Sequence, residues 1–140
     1  MGQRINGVDV DILVSVTVPQ LLVGKTLEGY NETVAQPTIS AGTLTLDLTT
    51  ANVFTVTHNA NITTLTISNT PASGKAGSFT LILTQDATGG RTITFPATVK
   101  WSGGTAPTLS TTANKDNVLS FFTVDGGTKW FGAQIGKDYA

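Results

Sequence analysis

The chain of 140 residues contains no cysteine and little charge. Without cysteine there is no disulfide, no thiolate metal site and no cysteine nucleophile. Charged residues make up 12% of the chain, against about 25% in typical soluble domains. Lys and Arg are not clustered, as they would have to be to bind the phosphates of a nucleic acid. The sequence therefore predicts neither thiol chemistry nor nucleic-acid binding.

Long apolar segments are also missing. The longest apolar run falls far short of the ~20 residues that a membrane-spanning helix needs. The first residues lack the charged start, apolar run and small-residue cleavage site of a signal peptide. We therefore expect a soluble protein that is made in the cytosol.

Residues that enzymes use for catalysis are few and scattered. His58 is the only histidine, and its polar neighbours predict a solvated turn residue. Gly24-Lys25-Thr26 has the end of a phosphate-binding loop, but Pro19 stands where the first glycine of that motif would be. Asp86 and Asp125 are predicted to stabilise turns through hydrogen bonds to the backbone. We predict no catalytic residue, no cofactor and no metal site; a calcium ion at these loops is the weaker alternative.

What the sequence does contain is an alternation of aliphatic or aromatic residues with Thr and Ser. Phe79, Leu81 and Leu83 share one parity, and side chains two apart lie on the same face of a strand. Each run therefore has one apolar face and one polar face. Gly-rich stretches at Asp86–Gly90 and Asp125–Gly127 separate the runs, where a hairpin needs positive φ. The pattern predicts antiparallel β-structure.

Strands and turns predict the fold class. We expect about eight short strands between Ile39 and Ile135, at the spacing of a sandwich or barrel. The longer segment 105–114 is expected to cross between sheets, as in a jelly roll or Greek key. We therefore predict an all-β fold: an antiparallel, jelly-roll-like β-sandwich over residues 38–140, with an extended N-terminal arm over residues 1–37.

The arm has the most regular alternation in the chain. Apolar residues occupy every second position from 8 to 18, the positions between them are mostly polar, and Pro19 ends the run. Such a strand pairs either within its own domain or with the sheet edge of a neighbouring subunit. The second alternative predicts an interface formed by Val8, Val10, Ile12, Val14, Val16, Val18, Leu21 and Leu22.

Two tryptophans, Trp101 and Trp130, each lie beside a Gly-rich loop. An indole ring can stack on a sugar, but it serves more often as a large core or interface residue. The core is the favoured interpretation, and a ligand-facing position of the two rings is the alternative.

Several segments together carry a resemblance to a known group of proteins. They are Gly77-Ser-Phe-Thr-Leu, Arg91-Thr-Ile-Thr-Phe-Pro96, Val99-Lys-Trp101 followed by Gly103-Gly-Thr-Ala-Pro107, and Asp125-Gly-Gly-Thr-Lys-Trp-Phe-Gly132. The series resembles the β-module of tailed-bacteriophage virion proteins, which recurs in tail-fibre C-terminal domains and in head-decoration or head-fibre proteins. The resemblance runs from Ile39 to Gly132 and implies a structural, usually trimeric, virion component without a catalytic residue.

The resemblance leaves two roles open. A chain of this length that begins at Met1 is expected to lack a fibre shaft, which favours a capsid decoration (cement) or head-fibre protein that coats the particle. The alternative is the receptor-binding tip of a short tail fibre, whose loop Ser102–Pro107 contacts host glycan or protein. In both, the expected partners are further copies of the chain, as a homotrimer, and the major capsid protein or another virion protein. A lectin-like soluble module is a third, weaker alternative.

Overall fold

A computed structural model of the chain describes residues 29–140 and the backbone of two short strands that precede them. The chain divides into two compact units, Met1–Tyr30 and Asn31–Ala140. In the first unit, β1 (Arg4–Ile5) pairs antiparallel with β2 (Val8–Asp9). The side chains of the predicted arm interface, from Val8 to Leu22, lie outside the described residues, so their role stays a prediction.

The second unit is built from strands and turns. Its strands are β3 (Val34–Ala35), β4 (Thr43–Asp47), β5 (Val53–His58), β6 (Thr64–Ser68), β7 (Gly77–Gln85), β8 (Val99–Trp101), β9 (Asp116–Thr123) and β10 (Trp130–Tyr139). A single 3₁₀ turn, Ser102–Gly104, follows β8 in this part of the chain. The predicted all-β class is confirmed.

Five of these strands form a parallel winding. The chain alternates between a larger sheet, which contains β3, β5 and β7, and a smaller sheet of β4 and β6. Strand β5 pairs parallel with both β3 and β7, and β4 pairs parallel with β6. After β7, Ile93 continues the smaller sheet through a parallel bridge to Ile62. Each time the chain passes through both sheets, it therefore adds one strand to each sheet, parallel to the strand before it.

The C-terminal strands extend the larger sheet in a different way. Its order is β3-β5-β7-β9-β10-β8, with β9 antiparallel to both β7 and β10 and with β8 parallel to β10 at the edge. The segment between β8 and β9 therefore crosses β10, and Leu109 within it packs against the core. The pairing is mixed and not purely antiparallel as predicted, and it does not confirm the jelly-roll detail.

From β4 onward, the observed strands follow the predicted runs except at residues 91–96. There the alternation predicts a strand, but the structure forms only the bridge at Ile93. The neighbouring Thr92 amide donates to the Asn61 side chain at 3.0 Å and not to a strand partner. The stretch Asp86–Gly90 accordingly leads into the other sheet and not into a hairpin, whereas Asp125–Gly127 does connect the antiparallel strands β9 and β10.

One apolar core holds the two sheets together. On β7, Phe79, Leu81 and Leu83 are all buried, as their shared parity predicts. From the smaller sheet, Leu44 and Leu46 enter the same cluster. Aromatic rings fill one end of this core. Phe79 stacks on Phe121 with 4.7 Å between ring centroids, and Trp130 meets Phe79 edge to face at 5.2 Å.

Adjacent residues on β4 provide a test of this core. Leu44 is fully buried and Thr45 is exposed. We expect Leu44→Ala to lower the free energy of unfolding by about 2–5 kcal/mol, because it removes apolar contacts and leaves a cavity. Thr45→Ala, the matched control on the opposite face, should cost less than about 1 kcal/mol. Urea unfolding followed by circular dichroism measures both, and equal losses would contradict the assignment of the two faces.

Two adjacent glycines after β7 allow the cost of a left-handed backbone to be measured apart from the cost of a steric clash. Gly89 and Gly90 have φ of 71° and 76°. A Cβ on Gly89 would lie 2.6 Å from the Thr111 carbonyl oxygen and 2.8 Å from the Ala113 nitrogen, whereas a Cβ on Gly90 would meet nothing within 4 Å. Gly90→Ala is expected to cost about 1–2 kcal/mol from the left-handed backbone alone.

Gly89→Ala has to disturb backbone as well, so its cost should exceed that of Gly90→Ala by roughly 1–3 kcal/mol. Thermal unfolding of the two variants side by side gives the difference. A Gly90→Ala variant that is the less stable of the two would contradict the packing of residues 111–113 against this turn.

Candidate functional site

A cluster of buried polar side chains lies at one end of the larger sheet. His58 ends β5, Gln85 ends β7 and Asn117 lies near the start of β9. Because β5 and β7 are parallel and β9 is antiparallel to them, the three positions meet at the same end. Each is at most 1% exposed. A solvated turn position for His58 is therefore wrong: the residue closes a strand under neighbouring segments.

Gln85 is the centre of this cluster. Its Nε2 donates to the carbonyl oxygens of Arg91 at 2.9 Å and Ser110 at 3.3 Å, and it lies 3.2 Å from His58 Nδ1. Its Oε1 accepts the Arg91 amide at 3.0 Å. A buried amide without partners would be destabilising. Here the same amide fixes the segments that carry Arg91 and Ser110.

Ser110 connects the cluster to the C-terminal end of β10. Its amide donates to Asn117 Oδ1 at 2.6 Å, and its carbonyl accepts from Asn117 Nδ2 at 3.0 Å. Its hydroxyl donates to the carboxylate of Asp138. These bonds fix the segment that crosses β10 at Ser110, where the segment forms no strand pairing.

His58 is held as a neutral imidazole. Nε2 lies 3.2 Å from the Thr92 carbonyl, which can only accept, so Nε2 carries the proton and the unprotonated Nδ1 faces the Gln85 amide nitrogen at 3.2 Å. Burial is the main cause that lowers the pKa of His58, with a smaller contribution from the charge of Arg91. Gln85 lies between His58 and Ser110, so the histidine is not placed to take the serine proton. The cluster is equipped to hold chain segments together.

The turn after β7 is stabilised by Asp86, as predicted. Asp86 Oδ1 accepts the amides of Thr88 at 3.1 Å and Gly89 at 2.8 Å, and Oδ2 forms an ion pair with Arg91 at 2.7 Å. The hydrogen bond from the Arg91 side chain is the main cause that lowers the pKa of Asp86.

Asp125 has the same role in the β9–β10 hairpin. Its Oδ1 accepts the Lys129 amide at 3.0 Å, and this bond is the main cause that lowers the pKa of Asp125. Among the described residues, no three His, Asp or Glu side chains come together as a metal site would require.

The structure places the two tryptophans differently. Trp130 is 1% exposed and packs on Phe79 in the core, so a ligand-facing role for it remains a prediction that requires the core to open. Trp101 is half-buried, and its ring packs edge to face on Phe95 and Phe121. A Cβ on Gly132 would lie 2.7 Å from the Trp101 ring, so this glycine makes room for the indole.

Exposed aromatic residues lie elsewhere, on the outer face of the β9–β10 hairpin. Phe122 and Phe131 are directly opposite each other across the two strands and are 44% and 48% exposed. Lys129 Nζ lies 4.9 Å from the centre of the Phe131 ring. The exposure of this pair was not expected from the sequence. A signal was available: two consecutive phenylalanines in a strand put one ring on each face.

A cavity of about 410 Å³ opens beside Phe122. It lies between the end of the smaller sheet and the start of β7, and Leu48, Asn52, Asn69, Pro71 and Ser78 contribute to its wall. Asn69 is fixed there, since its Nδ2 donates to Asp47 Oδ1 at 2.8 Å. The wall carries no charged side chain, so the cavity offers no strong electrostatic attraction to an ionic ligand.

Together, the mixed β-fold, the buried cluster and the hydrogen-bonded turns define a structural β-domain. The family model described as "Putative phage tail fibre C-terminal domain" matches residues 37–129. The chain belongs to this family, which confirms the resemblance to phage virion β-modules and makes the protein a structural component of the phage virion. No curated protein and no solved structure is detectably similar to the chain. Within the described residues, no helix is both long and apolar enough to span a bilayer.

The buried histidine makes stability depend on pH. In the unfolded chain His58 takes up a proton near pH 6.5, whereas in the folded chain, where its pKa is lowered, protonation needs a lower pH. The unfolded state therefore binds more protons as the pH falls through about 6.5, and folding stability decreases. The carboxylates with lowered pKa values, Asp47, Asp86 and Asp125, lose their contribution only below about pH 4.

We expect the urea midpoint of the native chain to fall between about pH 6.5 and 5, and that of His58→Gln to change little over this window. The urea midpoint of each protein is compared with its own midpoint at the other pH, so the stability that the substitution itself costs cancels. An identical pH dependence in both proteins would contradict a buried, neutral His58.

Proposed function

We propose that this chain is a non-catalytic distal domain of a phage tail fibre, present as a homotrimer and attached to the virion through its N-terminal segment. The observation that carries the proposal is the match to the tail fibre C-terminal domain family over residues 37–129. Tight core packing and turns closed by Asp86 and Asp125 support it, because a distal domain has to keep its shape outside the cell.

The surface composition supports a role in assembly. With charged residues at 12% of the chain, the protein has little of the charge repulsion that keeps ordinary soluble domains apart. Thr is plentiful on the outward strand positions, for example at Thr45, Thr66 and Thr80, and its branched side chain suits a pleated surface. Such a surface can be covered by another protein at a small desolvation cost.

Capsid decoration is the second candidate. A charge-poor β-domain with one compact core suits a coat protein as well as a fibre domain. Labelling of purified virions with gold-conjugated antibody against the chain separates the two. Label at the tail supports the fibre domain, and label distributed over the head supports decoration. Absence of the chain from purified virions would contradict both.

A truncation tests attachment through the N-terminal segment. The predicted arm ends at residue 37, but β3 pairs with β5 in the larger sheet, so the cut is best made before Asn31, where the first compact unit ends. We expect residues 31–140 to keep the β circular dichroism spectrum of the full chain and to lose binding to virions that lack the protein.

Matched charge variants test the same segment in the full chain. Ile12→Asp with Val14→Asp adds two carboxylates to the predicted apolar face, whereas Ser15→Asp with Thr17→Asp adds them to the polar face. Only the first pair should abolish attachment, because it buries charge in an apolar contact. If both pairs attach like the native chain, attachment has to be assigned to residues 31–140.

A further inference from the structure

The outer face of the larger sheet carries an unpartnered apolar surface. We call it the hairpin face and define it by four residues: Phe122 on β9, Val124 directly after β9, and Phe131 and Ile135 on β10. These side chains are 44%, 48%, 48% and 58% exposed. In the part of the chain that the structure describes, no other strand layer packs on this side, since the core and the smaller sheet lie on the opposite side.

Strand register extends the hairpin face across the sheet. Val118 on β9 stands opposite Ile82 on β7, and Ala133 on β10 continues the row of Ser120. At the other edge, Val34 on β3 stands opposite Val53 on β5. All of these lie on the outward parity, and the remaining outward positions are largely Thr and Ser. Apolar side chains therefore reach from one edge of the sheet to the other, with Thr and Ser between them.

Charge is nearly absent from this surface. The outward positions of the six strands include one carboxylate, Asp116, and one ammonium group, Lys100. Asp116 Oδ1 accepts the Thr84 hydroxyl at 2.6 Å, and Lys100 Nζ donates to the Ala97 carbonyl at 2.7 Å. Both side chains are held by neutral partners within the chain. Lys129 adds a second ammonium group at the hairpin end, 4.9 Å from the centre of the Phe131 ring. A second copy placed on this face would therefore meet few charged groups, and these are of both signs.

The size of the face also fits such a contact. Strands β5, β7, β9 and β10 have 6 to 10 residues. Four strands at ~4.8 Å spacing and about eight residues at ~3.3 Å per residue give a projected area of about 500 Å². This is somewhat less than the ~800 Å² that each partner contributes to a standard interface, and the short strands β3 and β8 add to it at the two edges.

We infer that the hairpin face is the surface through which copies of this chain associate. A second copy is the occupant that these observations favour, because interfaces between identical subunits are apolar, enriched in aromatic residues and depleted of charge. A sugar would need convergent polar groups to bind its hydroxyls, whereas the hairpin end of this face offers Phe122 and Phe131, with Ile135 farther along β10. The inference rests on the homo-oligomer in the proposed function and adds where the subunits meet.

One substitution with a matched control tests the inference. Ile135→Lys places a cation on the hairpin face at a side chain of β10 that is already 58% exposed, so the single chain should still fold. Thr66→Lys places the same cation on an exposed position of β6 in the smaller sheet. Sedimentation equilibrium of the full-length chain and of both variants measures their association, and circular dichroism confirms that each is folded.

We expect the native chain and Thr66→Lys to associate equally, and Ile135→Lys to associate at least about tenfold more weakly. Association of Ile135→Lys as strong as that of the native chain would overturn the inference while the proposed oligomer survives. A native chain that stays monomeric at high micromolar concentration would overturn both the inference and the oligomer. If that monomer binds host cells and Ile135→Lys does not, the face belongs to a host partner and the inference is again wrong.

Discussion

Strand β7 provides the constraint on which the rest of the structure depends. One edge of it bonds in parallel to β5 and the other edge bonds antiparallel to β9, so β7 joins the parallel winding to the C-terminal hairpin. Its inward side chains, Phe79, Leu81 and Leu83, are buried among residues of both sheets. A shift of β7 by one residue would turn these three side chains outward, and both halves of the larger sheet would lose their register with the core.

The polar cluster completes the core where apolar residues stop. At that end of β7, the inward position belongs to Gln85, and its amide binds His58 and the backbone of two segments that have no strand partner of their own. Buried polar groups are stabilising only when their hydrogen bonds are satisfied. Satisfying them here requires the turn at Arg91 and the crossing segment at Ser110 to be in place, so the cluster couples local turns to the overall fold.

The same architecture explains why this β-domain suits a virion. Its core and hydrogen-bonded turns fix the strands, and its broad sheet face has little charge and several exposed apolar side chains. Such surfaces are typical of contacts between proteins. A virion domain that holds its shape and offers a broad surface for contact with other proteins fits the family to which the chain belongs.

The sequence by itself determined most of the strands from residue 43 onward and which face of each is apolar, but not the lack of a regular strand at residues 91–96 or the strand position of His58. Local spacing is sufficient for this, as the burial of Phe79 and the turn bonds of Asp86 show. Only the tertiary structure decided which strands pair and in which direction. Alternation has the same period in parallel and antiparallel strands, so it could not reveal that β5 lies parallel to β7.

The tertiary structure also decided the burial of single residues. His58 is enclosed because Thr92 and Gln85, which are 34 and 27 positions away in sequence, pack over it. Phe122 is exposed because its neighbour Phe121 occupies the core. Burial depends on what the rest of the chain places over a side chain, and a residue's immediate neighbours in sequence carry no record of those distant segments.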